Sequence, residues 1–172
     1  MLNFSHQLNK RCCFILRKRS HYSTGKTVLD QKRKVKIVEV GPRDGLQNEP
    51  GILSCETKVE FIQMLALAGC PVVEVASFVS PSRVPAMANS GEVVSTLNNW
   101  RKVSQLKEKN LTKFSALTPN LRGFNDAVSS GIDEVAVFGA ASESFSMENI
   151  QCSIQDSLDR LVKVFSINAT HF

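Results

Sequence analysis

From Val35 onward the chain alternates between two hydrophobic patterns. Short β-branched runs stop at glycine, proline or polar clusters, and each is followed by apolar residues recurring every three or four positions. Val35–Val40 reads as a strand that stops at Gly41-Pro42. Ser54 can cap a helix with Val59, Ile62, Leu65 and Ala66 on one face, ending at Gly69. Val72–Ala76 is the second strand, and Gly91–Trp100 a helix through Val93, Val94 and Leu97. Arg101–Lys113 is polar and lysine-rich, a helix end plus an exposed loop. Phe114–Leu117 is a strand ending in Thr118-Pro119, and Leu121, Phe124, Ala127 and Val128 mark a helix that ends at Gly131. Glu134–Phe138 is the fourth strand. Ser146 then caps one long amphipathic helix with Ile150, Ile154, Leu158, Leu161, Val162 and Phe165 on one face.

These are four βα units of an α/β protein. Nearly continuous apolar strands imply burial on both faces and a parallel sheet. Each strand ends in small or polar residues, where the active sites of (β/α)8 barrels lie. The expected fold is therefore a TIM barrel of which only the first four βα units are present, since a whole barrel takes about 250 residues. An open doubly wound sheet is the other option, but no glycine-rich phosphate fingerprint opens the first helix.

Charge changes this picture only at the start. The formal net charge of +5 belongs to residues 1–36, which hold ten Lys or Arg against the single acid Asp30. The body, 37–172, is left with eleven basic and fifteen acidic residues, so it gives no reason to expect nucleic acid as a partner. The leader 1–34 is basic and contains serine, the composition of a mitochondrial transit peptide, with a disordered basic tail as the alternative. No apolar run reaches the length of a membrane span, so no membrane partner is expected. Cys12 and Cys13 lie in the leader. Cys55, Cys70 and Cys152 have no metal or disulfide spacing and are expected as reduced, buried or half-buried thiols.

The chemistry centres on the first strand end, "VKIVEVGPRDGLQNE". An aspartate there offers a hard oxygen for Mg²⁺ or Mn²⁺. The adjacent arginine offers a fixed cation for a developing oxyanion. A lone Arg-Asp pair is more often a surface ion pair, so the whole run has to carry the reading. That run resembles the first strand of the 3-hydroxy-3-methylglutaryl-CoA lyases, members of the DRE-TIM metallolyase superfamily. The resemblance continues through "VEVASFVSPSRVPAMAN", "LTPNLRGFNDAVSSG" and "EVAVFGAASESFSMENIQCSIQDSL", covering about residues 35–165.

The resemblance implies a pyruvate carboxyltransferase-like barrel domain over 35–172 and an acyl-CoA substrate. It implies cleavage of 3-hydroxy-3-methylglutaryl-CoA to acetyl-CoA and acetoacetate, in ketogenesis and leucine degradation. It also implies a divalent cation, Mg²⁺ or Mn²⁺, and together with the leader a place in the mitochondrial matrix. A homodimer is left open. Matched position by position, Asp44 is the metal ligand, Arg43 neutralises the enolate or thioester oxygen, and Glu74 is the acid of the Asp-Arg-Glu set. Gln47, Ser77, Thr118, Asn120 and Ser142 stand at strand ends as candidate substrate contacts, although capping a helix is the commoner use of such residues. Glu39 is expected as a buried, paired carboxylate. Arg122 is expected as a solvated charge, with a coenzyme A phosphate as its other option.

Two features of that family are missing. The only histidines are His6, His21 and His171, so there is no His-x-His pair to complete the metal site. No glycine-rich loop with a catalytic cysteine follows. The expectation is the N-terminal half of a lyase, inactive by itself, with a non-catalytic short isoform that pairs with the full-length enzyme as the alternative.

Overall fold

The computed structural model describes residues 35–104 and 112–168, with side chains to Val164. Its frame is a four-stranded parallel sheet of β1 (Val38–Glu39), β2 (Val72–Ser77), β3 (Lys113–Leu117) and β4 (Glu134–Ala136) in the order β1-β2-β3-β4. Strands laid down in chain order, each reached through helix, are the arc of a βα barrel. A doubly wound sheet would reverse direction from its first strand. The leader, most of the lysine-rich loop and the sequence after Asn168 lie outside the described residues.

The helices are α1 (Cys55–Leu67), α2 (Ser90–Val103), α3 (Leu121–Ser129), α4 (Glu143–Ile150) and α5 (Ile154–Asn168). Ser54 caps α1 by accepting from the Thr57 N–H at 3.3 Å, and Asn120 caps α3 by accepting from Gly123 at 3.0 Å. Gly69 and Gly131 follow α1 and α3 with φ of 88° and 82°, where a side chain would be strained. The core lies between the sheet and α1–α2, from Ile62, Val93, Val94 and Leu97 on the helices to Val73, Val75, Phe114 and Ala116 on the strands. All six residues of β2 are buried, as a central parallel strand requires.

Three expected elements differ. The fourth strand, expected over Glu134–Phe138, pairs only to Ala136, and Phe138 is exposed. The strand over Val35–Val40 pairs only at Val38–Glu39, and Val35 and Ile37 stay exposed. Its neighbour among the described residues is β2 alone, so β-branched composition outruns the ladder available to it. The single helix capped by Ser146 is two helices. Ser142 is the cap, accepting from Phe145 N–H at 3.4 Å, while Ser146 is buried and donates to the Cys152 carbonyl at 2.7 Å. The chain breaks at Gln151, whose φ is 55°, and Glu143 accepts from the Ile154 N–H at 3.0 Å to start α5. The break resets the helical phase. Ser157 and Val164 are buried, while Leu158 and Val162, expected inward, are exposed.

Lys58 on α1 was not anticipated. It is 3% exposed, and its ammonium donates to the Ala86 carbonyl at 2.5 Å and to Asn89 Oδ1 at 2.7 Å, tying α1 to the loop between β2 and α2. Burial pushes this ammonium below the ordinary lysine value, with the nearby Cys55 opposing in smaller measure. The unfolded chain keeps the proton up to about 10.5. The desolvation cost is therefore present at neutral pH and is relieved as pH rises from the lowered folded value toward the unfolded one. We expect Lys58→Met to remove that rise. Urea midpoints of the two proteins compared from about pH 8 to about pH 10 test it, and parallel curves would refute the assignment.

Candidate active site

The turn that carries the candidate residues is made by the backbone. Gly41–Gly45 forms one wide helical turn in which the Arg43, Asp44 and Gly45 N–H groups converge on the Val40 carbonyl at 3.1, 2.7 and 3.5 Å. Such π-type turns concentrate at functional positions. Pro42 enters at the start, where its missing N–H costs nothing. Glu39, half-buried rather than ion-paired in the sheet, accepts from the Gly41 N–H at 2.6 Å. Asn48 closes the other end by donating to the Asp44 carbonyl at 2.8 Å.

This turn lays Arg43 against the end of β2. Its Nε donates to Glu74 Oε1 in a short contact, and Nη1 donates to Asp44 Oδ1 at 2.5 Å. Glu74 is buried and Asp44 is 55% exposed, so one guanidinium joins an inner carboxylate to an outer one. The rigid fork of arginine suits two carboxylates at once. Beside Glu74 the register of β2 against β3 shifts. Glu74 pairs with Ser115, but Ala76 and not Val75 pairs with Ala116. Val75 and Ala76 both pack in the core, so this bulge returns Ser77 to the face that carries Glu74.

The remaining candidates divide by partner. Gln47 is half-buried just after the turn. Ser77 is fully buried, and its hydroxyl has no hydrogen-bond partner among the described residues. The same holds for Ser115, which the sequence reading passed over because an isolated serine in a strand carries no signal. Thr118 continues the sheet, donating from N–H and hydroxyl to the Ala136 carbonyl at 2.8 and 3.3 Å. Asn120 and Ser142 are exposed helix caps. Cys55, Cys70 and Cys152 are free thiols. Burial, with Glu92 adding to it, pushes the Cys55 thiol above its ordinary value.

Glu134 accepts from Lys113 at 2.8 Å and from Lys36 at 3.5 Å, so one carboxylate joins the starts of β3 and β4 to the segment before β1.

As a cation site, Asp44 offers one exposed, hard carboxylate, the donor type Mg²⁺ prefers. Among the described residues no three His, Cys, Asp or Glu side chains come together as a metal cluster. Asp44 thus fits as one ligand of a set. No described helix is long and apolar enough to cross a membrane.

A protein of Gallus gallus named hydroxymethylglutaryl-CoA lyase, mitochondrial, is 48% identical over 134 residues, covering 78% of this chain and 42% of its own length. One of Mus musculus named 3-hydroxy-3-methylglutaryl-CoA lyase, cytoplasmic, is 50% identical over 132 residues, 77% of this chain and 36% of that protein. The crystal structure of hydroxymethylglutaryl-CoA lyase from Pseudomonas aeruginosa superposes with a TM-score of 0.68 at 47% identity, covering 80% of this chain and 43% of that one. The chain thus spans less than half the length of these relatives. Mitochondrial and cytoplasmic names both occur among them. The family model described as HMGL-like matches residues 34–170, and with strand order and solved neighbours in agreement the chain belongs to the HMGL-like family.

Proposed function

We propose that this chain contributes the Arg43–Asp44–Glu74 part of a carbon–carbon lyase that cleaves 3-hydroxy-3-methylglutaryl-CoA to acetyl-CoA and acetoacetate. The observation that carries the reading is the single guanidinium held between a buried and an exposed carboxylate at the strand ends. Glu74 fixes the Arg43 fork. Arg43 faces the charge that develops on the thioester oxygen as the bond breaks, and a cation fixed in advance favours that charge without reorganising. Asp44 would hold a divalent cation together with ligands from outside the described residues. Such an ion supplies Lewis acidity toward the substrate oxygens. Ser77, whose buried hydroxyl has no hydrogen-bond partner among the described residues, is the first of the remaining candidates for a polar contact with the substrate; Gln47 comes next. Thr118, Asn120 and Ser142 are engaged with backbone. The basic leader and the mitochondrial names among the relatives favour the mitochondrial matrix, and a homodimer remains part of the proposal.

The test is a chimera in which residues 35–165 replace the matching segment of the Pseudomonas aeruginosa enzyme. Acetoacetate release from 3-hydroxy-3-methylglutaryl-CoA supports the reading. A folded chimera without turnover, beside an active parent, removes it.

A further inference from the structure

The mouth of the sheet carries a cation that the Arg43 site does not use. Arg83 lies exposed in the loop between β2 and α2, and its Nη2 donates to Gln151 Oε1 at 2.7 Å. Among the described residues no carboxylate lies within ion-pairing distance of Arg83. Arg43, by contrast, already carries two carboxylates on its Nε and Nη1. At this end of the sheet Arg83 is thus a guanidinium that no carboxylate holds among the described residues, as is the exposed Arg122 at the start of α3.

Both halves of the Arg83–Gln151 contact are braced from beneath. The buried Lys58 ammonium holds Ala86 and Asn89, and the Ser90 hydroxyl bonds to the carbonyls of Ser77 and Met87 at 2.8 and 2.7 Å. The Arg83 N–H itself donates to the Ser80 carbonyl at 2.9 Å. On the other side, Ser146 holds Cys152 and Glu143 holds Ile154, within three residues after Gln151. Gln151 is the one non-glycine with positive φ among the described residues, a conformation that L side chains rarely adopt. Because its amide oxygen faces Arg83, its N–H donors are left for another group. The result is a guanidinium fork beside amide donors with no acidic group paired to it, on loops that do not need to be ordered on binding. That chemistry fits the oxygens of a phosphate.

We propose that Arg83 and Gln151 form a clip for the phosphate groups of the coenzyme A portion of an acyl-CoA. The identity of the ligand rests on the lyase reading above; the preference for phosphate rests on the clip. Calorimetric titration of the 172-residue chain with coenzyme A, inorganic pyrophosphate and pantetheine tests it. Arg83→Gln should weaken coenzyme A and pyrophosphate about tenfold, and Arg83→Lys about threefold, with pantetheine unaffected. Circular dichroism confirms that each variant folds. Unchanged coenzyme A affinity in Arg83→Gln overturns the proposal, and so does an unaltered chain that binds neither coenzyme A nor pyrophosphate. Pyrophosphate binding that needs Arg83, without coenzyme A binding, upholds the clip as a phosphate site and overturns its assignment to coenzyme A, and the lyase reading falls with it. If coenzyme A binds equally well to both proteins, the lyase reading stands and the clip falls.

Discussion

Arg43→Met should destabilise the chain by about 3 kcal/mol, because it leaves Glu74 buried without its cation. The loss should exceed that of an exposed ion pair, which is worth about 1 kcal/mol or less. The double variant Arg43→Met with Glu74→Gln should recover much of the loss, since no uncompensated charge is then left inside. Urea unfolding of the two single variants and the double variant measures the coupling. Additive losses would mean that the two side chains meet without supporting each other. In the chimera the same Arg43→Met change should lower turnover by about two to three powers of ten, the scale of removing one fixed oxyanion partner. A larger effect on stability than on turnover would assign Arg43 to architecture.

Gly123→Ala should have the second largest effect. Alanine favours helix over glycine by about 1 kcal/mol, so an exposed position in α3 would gain stability. Here the new Cβ would lie 2.4 Å from the Phe78 carbonyl oxygen and 3.3 Å from Phe78 Cβ and Pro119 Cδ. The obstacle is backbone. The Phe78 N–H is itself held by the Leu117 carbonyl at 2.8 Å, so the strand end cannot yield cheaply. Helix α3 must move instead, which strains the Asn120 cap. Overpacking of this kind costs about 3 kcal/mol, leaving a net loss of about 2 kcal/mol. Unchanged or increased stability in urea would show that α3 is free to slide.

The alternation of patterns was enough to place four strands, their parallel sense and the first three helices, because apolar runs and helical spacing recur in each unit and a cap and a terminal glycine mark α1 and α3. The Arg43–Asp44–Glu74 grouping was legible as a motif, but its geometry was not. Nothing in the letters says that Gly41–Gly45 winds as a π-type turn, or that Glu39 turns back onto Gly41. The split of the last helix was hidden for a similar reason. Glutamine in the left-handed region is unusual, and Ser142 and Ser146 carry equal capping chemistry. Only packing of Ser146 against Cys152 separates them. Lys58 and Arg83 were invisible as functional groups, since a lysine in a helix and an arginine in a loop read as solvated charge.

The unequal length of the strands has a consequence for how the molecule breathes. Strand β2 is buried along its whole length between two neighbours, whereas β1 contributes only two ladder positions. Local openings cost least where backbone pairing is sparse. The segment carrying Arg43 and Asp44 should therefore detach from the sheet far more often than β2 and β3 separate, with its amides exchanging with solvent while theirs stay protected. The Arg43–Glu74 ion pair joins that segment to β2, so the pair proposed for the chemistry is also the latch that closes this end of the sheet.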